Sequence, residues 1–487
     1  MSSVVAAELA EISVRSLARP RAAALPLRGL QAARWYAKFF VDPVRCMTEA
    51  YERFGPVVPA GRITRLQGRE RQHVLALGPD CNRQVLGNTE VFHTTAQAWP
   101  GPRGSAMRRV RNGLTRMNGE RYRQQRQLML PTFSKKAVAG YIVDMTAVVR
   151  GHLEEEWHNG ATIDIYQQSR RLALRMSSQV LFGRQNPEDA YSLAALVQQF
   201  IPRNFSPGVW ICPFNLPFTP FRRMIRNAGR IENALQRLID ERRANPSQHT
   251  DVLKILVQAF DEQHVPIDES ELIGQATVMF IASYENVASV LTWTLFLLAQ
   301  HPDVMSDLHA ELAGTLGDGP PDPEQIEKLP LLDAVIKESM RVLPPVPYLL
   351  RKPSVPTSLG GFELRKNDRV AVSAYITHHL SDLYPQPRRF IPDRWFSIKP
   401  TPYEYLPFGA GPRACLGKLF AVAEIKIALA MILLRHRLSV VPDITINRRV
   451  QVMMSPKRGL PMAVHHQDRC FGSAPVRGNI HEMVELN

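Results

Sequence analysis

Cysteine is scarce in this chain, and none of it falls in a paired pattern. The 487 residues include Cys46, Cys81, Cys212, Cys415 and Cys470, an odd count with wide spacing and no C-x-x-C. That argues against a disulfide framework and against a zinc ribbon, and it implies a reducing compartment in which any reactive cysteine works alone. Long apolar runs are also missing. Residues 1–35 hold no hydrophobic core of signal-peptide length, and no N-terminal stretch is fit to span a bilayer. There are no internal repeats, no low-complexity tract and no flexible interdomain linker. No G-x-G-x-x-G opens a helix after a strand, so a nicotinamide or flavin domain is not expected. Acids are outnumbered: 45 Asp+Glu against 60 Lys+Arg leaves a formal charge of +15. Such a balance suits an anionic partner (nucleic acid, a membrane surface, an acidic protein) or simply a solvated basic face.

What is present reads as ordinary globular protein, with 45% hydrophobic and 22% charged residues. The 38 prolines against 28 glycines point to many fixed corners. The pattern predicts one large, mainly helical fold with small β-sheets (α+β). Strands are expected at Arg62–Gln67 and His73–Leu77, followed by a helix from Pro79. Helix dominates from about Ser134 to Gln300. A loop at Gly317–Pro330, a hairpin-like strand pair over Leu359–Tyr375 and a proline-rich irregular stretch at His378–Pro407 follow. An apolar helix over Cys415–Arg435 and strand pieces near Leu438–Val441 and Val450–Met454 complete the chain. The organisation expected is a basic leader at 1–35, a main domain at 36–465 and a tail at 466–487. The leader carries Arg15, Arg19, Arg21, Arg28 and Arg34 against Glu8 and Glu11, which weakly resembles a mitochondrial presequence.

Leu272–Gln300 is the most informative long element. Its single formal charge is Glu285. Its strictly apolar runs are too short for a membrane span, so a central buried helix is expected. A carboxylate in the middle of such a helix is costly unless it is paired, hydrated or functional.

The segment Phe408-Gly409-Ala410-Gly411-Pro412-Arg413-Ala414-Cys415-Leu416-Gly417 concentrates chemistry. Glycines let backbone approach a flat ligand closely. A cysteine at a helix start is favoured as thiolate, the metal-binding form. Arg413 offers a fixed cation to a nearby anion. This segment resembles the haem-ligand loop of the cytochrome P450 family, F-x-x-G-x-R-x-C-x-G, at Phe408, Gly411, Arg413, Cys415 and Gly417. Glu338-Ser339-Met340-Arg341 is similar to the family's E-x-x-R helix, and Phe390-Ile391-Pro392-Asp393-Arg394-Trp395 to its F-x-P-x-R-W segment. The resemblance implies a structural cluster of Glu338, Arg341 and Arg394 that holds the cysteine loop. Tyr122 and Arg126 stand where the family has W-x-x-x-R, which implies haem-propionate contacts from both.

The resemblance thus implies haem b with iron bound by Cys415, and monooxygenation of a mid-sized lipophilic molecule. It further implies O2 and a separate ferredoxin or flavodoxin-type electron donor. Residues 101–136 hold ten Lys/Arg against Glu120 alone, a surface some of which is expected to meet that donor. A monomer without a transmembrane anchor is expected, in the cytoplasm or, if the leader is a presequence, on the mitochondrial matrix side. The catalytic stretch departs from the family's A/G-G-x-D/E-T: it reads Ala282-Ser283-Tyr284-Glu285-Asn286. Glu285 keeps the acid, while Asn286 replaces the proton-relaying threonine with an amide, a poor proton relay. Peroxide use, or an isomerase or dehydratase reaction, is therefore the alternative. A nucleic-acid-binding role is not expected, because the charges are not interleaved with aromatics. Substrate contacts are expected from Phe92–Leu114, Phe280–Asn286, Val346–Leu349 and Met453–Leu460.

Overall fold

The computed structural model describes residues 29–64, 70–95, 101–183, 187–203, 206, 208–209, 212–246, 251–262, 269–317 and 322–486. The leader arginines up to Arg28, positions 65–67 of the first expected strand, positions 96–100 of the expected substrate loop and positions 318–321 of the expected 317–330 loop lie outside these residues. The principal helices are α1 (Gly29–Val41), α2 (Pro43–Phe54), α3 (Pro79–Gly87), α4 (Gly119–Met129), α5 (Lys135–Glu156), α6 (Ile165–Phe182) and α7 (Pro187–Arg203). They continue with α8 (Pro220–Ala244), α9 (Val252–Asp261), α10 (Glu269–Gln300), α11 (Pro302–Leu316), α12 (Pro330–Val342) and α13 (Lys418–Arg435).

The central element is α10, packed along α6 and in contact with α8, α11, α12 and α13. By length and composition it could cross a membrane, yet most of it is buried inside the protein. It starts three residues before the sequence pattern suggests, because its first-turn acids find cations: Glu269 pairs with Arg243 at 2.9 Å and Glu271 with Arg121 at 2.6 Å. Acids in that turn also suit the positive end of the helix dipole.

Strands β1 (Val57–Thr64), β2 (Glu70–Ala76), β3 (Phe92–Thr94), β5 (Tyr348–Pro353) and β8 (Arg369–Ser373) form one sheet in the order β1-β2-β8-β5-β3. The pair expected over Leu359–Tyr375 does not form. Gly360 and Gly361, with φ of 55° and 81°, instead turn a small hairpin of β6 (Thr357–Leu359) and β7 (Phe362–Leu364). Strand β8, apolar on both faces, then runs between β2 and β5. Strands β4 (Thr162–Asp164), β9 (His436–Val440) and β12 (Pro461–His466) make a second sheet. The strand expected at Val450–Met454 is the turn of another hairpin, between β10 (Arg448–Val450) and β11 (Met454–Pro456). Within the expected 317–330 loop, Asp322 and Gln325 form a reciprocal cap that starts a one-turn helix at Pro323–Glu327.

Residues 466–486 lie against the body. Ile480, Met483 and Val484 are fully buried. The Arg448 guanidinium binds Asp42 at 2.6 Å and Glu482 at 2.9 Å, joining the start of α2 to this tail.

Candidate functional site

The cysteine loop is fixed to α3 by a close backbone approach. Gly411 has φ of 70°, and a Cβ there would lie 2.4 Å from the Leu86 carbonyl oxygen. A side chain is thus excluded by both conformation and space. The loop folds back through the Cys415 amide, which donates to Phe408 O at 2.8 Å. That bond delays the following helix to Lys418, with Gly417 at its cap, so Cys415 stands before α13 rather than opening it. The Cys415 residue is open at its surface. Burial among protein atoms pushes its thiol pKa up, opposed by the Gly417 amide and by the Arg126 and Lys418 cations.

Around this loop stand three guanidiniums that no carboxylate pairs with among the described residues. Arg413 lies over the Tyr122 ring, 3.8 Å from its centroid, and donates to Met117 O and to Asn118 Oδ1. Arg126 donates to the Tyr122 hydroxyl at 3.2 Å. The Arg351 side chain, on β5, donates to its own neighbour's carbonyl, Leu350 O, and to no other acceptor among the described residues. The Nε atoms of Arg351 and Arg413 are buried without a partner among the described residues. Burial, reinforced by Arg413, pushes the Arg351 pKa down to about 10. Such a group calls for an anion. The Tyr122 hydroxyl donates to Pro412 O at 3.1 Å, so its proton is spent on the cysteine loop. Sequence reasoning missed Arg351; its only trace was a cation inside an otherwise apolar strand start.

The Glu338 cluster is assembled as a knot around the fully buried Glu338 and Arg341. Glu338 Oε1 accepts from Arg341 Nη2 at 2.8 Å, Arg394 Nε at 2.9 Å and the Ile391 amide at 3.0 Å. Its Oε2 accepts from Arg341 Nε and from the Trp395 indole, both at 2.9 Å. Arg341 then donates to the carbonyls of His378, Pro387 and Arg389, and Arg394 to that of Pro385. The irregular stretch is thereby tied down by its carbonyls. His378 extends the tie towards the cysteine loop, accepting from the Leu406 amide at 2.8 Å. Trp395 was quoted in the sequence segment, but its role in holding Glu338 was not foreseen.

On α10 the two expected catalytic residues point to different partners. Glu285 is buried, and its Oε1 accepts from Arg170 Nη2 of α6 at 2.7 Å. Burial alone would lower the Arg170 pKa; Glu285 outweighs it and the net shift is upward. Asn286 leans on its own helix, Nδ2 lying 3.4 Å from Ala282 O, while its Oδ1 is buried with no partner among the described residues. Ala282 is exposed on a helix that is otherwise mostly buried. Phe280 and Tyr284 do not join that open side: both are buried, Phe280 against the tilted Phe182 ring and Tyr284 edge-on to Phe280. Strand β11 is bound to α10 through Met454 O, which accepts from Ser289 Oγ and Trp293 Nε1.

The basic stretch at 101–136 is less free than its composition suggests. Arg109 pairs with Glu232, Arg121 with Glu271, Arg123 with Glu90 and Glu120, and Lys135 with Glu327. These acids come from distant parts of the chain, which a local count does not reveal.

A family model described as cytochrome P450 matches residues 35–461. The chain is 31% identical to cyclooctat-9-en-7-ol 5-monooxygenase of Streptomyces melanosporofaciens, over 76% of this chain and 81% of that one. It is 30% identical to pentalenene oxygenase of Streptomyces avermitilis, over 75% and 81% respectively. Among solved structures, a cyanobacterial cytochrome P450 with retinoic acid bound superposes with a TM-score of 0.76 at 27% identity, covering 93% of this chain and 100% of that chain.

Proposed function

The chain belongs to the cytochrome P450 family, haem-dependent monooxygenases, and we propose that it oxidises a mid-sized lipophilic molecule with a terpene-like skeleton. The named substrates of the two Streptomyces relatives support that choice. The electrons come from a separate ferredoxin or flavodoxin-type protein, the enzyme acts as a monomer, and its place is the cytoplasm.

One observation carries the site assignment. Cys415, an exposed residue, lies near the Arg126 cation and two residues after Arg413, whose charge reaches Arg351, and the three guanidiniums lack carboxylate partners among the described residues. These residues fit haem: Cys415 would bind the iron and the three guanidiniums the two propionates. When bound, haem supplies oxygen activation, which a thiolate ligand favours. The remaining roles belong to this chain. Tyr122 braces the loop through Pro412 O and holds Arg126 in place. Gly411 permits the close approach to α3. Phe408 and Gly417 bound the loop on either side of the thiol. The Glu338, Arg341 and Arg394 knot keeps the loop's supporting segment in one shape. Glu285 supplies protons from α10 while held by Arg170. Asn286 Oδ1, a buried acceptor, orients a donor hydroxyl from substrate or water.

The test is the ferrous–carbon monoxide spectrum of purified protein. Wild type is expected to give the red-shifted Soret band of a thiolate complex, and Cys415→Ala to lose it. An unchanged spectrum in Cys415→Ala would assign the iron to another residue. Asn286, an amide where the family has a proton-relaying threonine, also favours a second reading, a reaction that inserts no oxygen from O2. Product labelled from ¹⁸O2 and dependent on reductant supports monooxygenation; unlabelled product formed without reductant supports the second reading.

A further inference from the structure

Four cations gather where β3, β5 and the loop before α4 meet. Arg116 follows Thr115, whose carbonyl accepts from Thr94 Oγ1 at 3.1 Å, and it precedes Asn118, whose Oδ1 accepts from the Thr94 amide at 2.9 Å. Strand β3 pairs with β5, which sets His93 opposite Lys352 and Thr94 opposite Arg351. Arg116 is thereby held near Lys352, and the charge of the one acts on the other. Arg108 and Arg111 of the same loop complete the group. Arg111, Arg116 and Lys352 are half-buried, while Arg108 is exposed at the rim. Burial pushes the Arg111 pKa down to about 9, and the Arg116 cation adds to the fall. Burial and then Arg108 lower that of Arg116; burial and then Arg71, Lys366 and Arg116 lower that of Lys352.

Like charges drawn together out of water are costly unless an anion joins them. Neither Arg116 nor Lys352 meets a carboxylate among the described residues; Lys352 Nζ donates to Asn367 Oδ1, a neutral acceptor, at 3.3 Å. The acids that reach this part of the chain are held elsewhere: Glu232 by Arg109, Glu271 by Arg121, and Glu90 and Glu120 by Arg123. The surroundings are apolar on one side. The Arg111 guanidinium lies over the buried Phe200 ring of α7, 4.8 Å from its centroid. Between Arg111 and Arg116 the loop lies flat on α10: a Cβ on Gly113 would clash with the Gly274 carbonyl oxygen, and the Leu114 amide donates to Gln275 Oε1 at 3.0 Å. Gln275 stands about 15 Å of helix before Glu285. A ligand anchored by an anion at this loop and reacting beside Glu285 spans that distance with its apolar body. Half-buried cations of this kind admit a small oxyanion more readily than the broad face of an acidic protein.

Resting on the reading of a lipophilic substrate, we propose that Arg111, Arg116 and Lys352, with Arg108 at the rim, bind an oxyanion carried by that substrate, a carboxylate or a phosphate. The substrate is then an amphiphile, anchored at its charged end and oxidised at a position remote from it.

The test is isothermal titration of the full-length holoenzyme with compounds that share one apolar skeleton: farnesoic acid, farnesyl phosphate, methyl farnesoate and farnesol, and the longer geranylgeranyl series. At least one anion is expected to bind about tenfold more tightly than its neutral counterparts, the effect of a charge-assisted contact. Which anion it is separates a carboxylate substrate from a phosphate. Arg116→Gln and Lys352→Gln should each erase most of that preference and leave the affinity for the ester and the alcohol as it was, which also shows the fold intact. Arg116→Lys should keep part of the preference. Haem per polypeptide should stay the same in all three variants. Equal affinity for anions and neutral compounds overturns the proposal and leaves the lipophilic substrate standing; if no compound of either series binds, both fall. A preference that survives Arg116→Gln and Lys352→Gln overturns it too. So does loss of haem in Arg116→Gln, because the anion is then a propionate. Slower reduction by an acidic donor in Arg116→Gln, with the ligand preference unchanged, likewise overturns it, because the occupant is then that protein.

Discussion

Glu424 is a carboxylic acid with no exposure, placed on the helix that follows the thiol. Its Oε1 accepts from Ser177 Oγ at 2.9 Å, and its Oε2 has no partner among the described residues. Burial pushes its pKa well above the ordinary 4.5, with the Ser177 bond opposing only in part. Between those two values the folded state holds a proton that the unfolded state has released. The stability this proton carries is full below the unfolded value and falls as pH rises towards the folded one, by at most about 1.4 kcal/mol per pH unit. Glu424→Gln keeps the shape and the serine contact and removes the titration. The variant should therefore gain in melting temperature relative to wild type on going from pH 5 to pH 8, read by thermal denaturation at each pH; a constant difference would show that the acid is not protonated in the fold. At Glu338 the expectation is opposite in kind. Removing it leaves Arg341 and Arg394 buried without a carboxylate, which costs about 3–5 kcal/mol. Glu338→Ala should yield little soluble haem protein, measured as haem per polypeptide after purification. Glu338 and its arginines were legible because their spacing is a motif. Arg351 and Arg170 were not, because nothing local distinguishes an arginine that the fold buries from one in water. Glu424 did leave a signal, an acid in the middle of an apolar helix, of the same sort that drew attention to Glu285.

At the scale of elements, periodicity identified the long helices well and the short strands poorly. Helix α10 differs from its expected start by three residues, because paired acids extend it. Strand β8 was placed in the wrong pair because a run of apolar residues does not say which neighbour it joins. The cysteine loop depends on one close approach more than on its helix. In Gly411→Ala the new Cβ would meet Leu86 O at 2.4 Å while φ sits at 70°. The loop must then move off α3, and the strain alone is worth about 1–3 kcal/mol. The variant should purify with reduced haem content and a lower melting temperature. Gly409 makes the useful contrast: with φ of 67° but nothing nearer than Leu349 Cδ1 at 3.8 Å, Gly409→Ala should lose less haem than Gly411→Ala. Equal losses would show that backbone conformation, not the approach to α3, is what matters.

For the molecule as a whole, the +15 charge is spread over paired and unpaired groups, and composition could not separate them. Arg103, Arg108, Arg116 and Lys136 have no carboxylate partner among the described residues, unlike Arg109 and Arg121. If an acidic donor docks there, electron transfer should slow as ionic strength rises, because exposed charges are screened beyond about 8 Å near physiological salt. A flat salt profile in stopped-flow reduction would remove that role. The tail makes a second prediction at this scale. Ending the chain at Arg477 removes buried Ile480, Met483 and Val484 and strips Glu482 from Arg448. It also removes Glu485, whose amide donates to Arg388 O at 2.9 Å, next to the carbonyls that Arg341 holds. The truncated protein should melt at lower temperature and lose haem faster on dilution.

The shared grip of Arg448 on Asp42 and Glu482 also sets a timetable. Asp42 precedes Arg448 by 406 residues and Glu482 follows it by 34, so a ribosome has finished everything between Asp42 and Glu482 before this junction can shut. Over those 34 residues of synthesis the nascent enzyme carries a cation with one acid already made and the other still to come, and a chain stopped within that span would stay open at the seam.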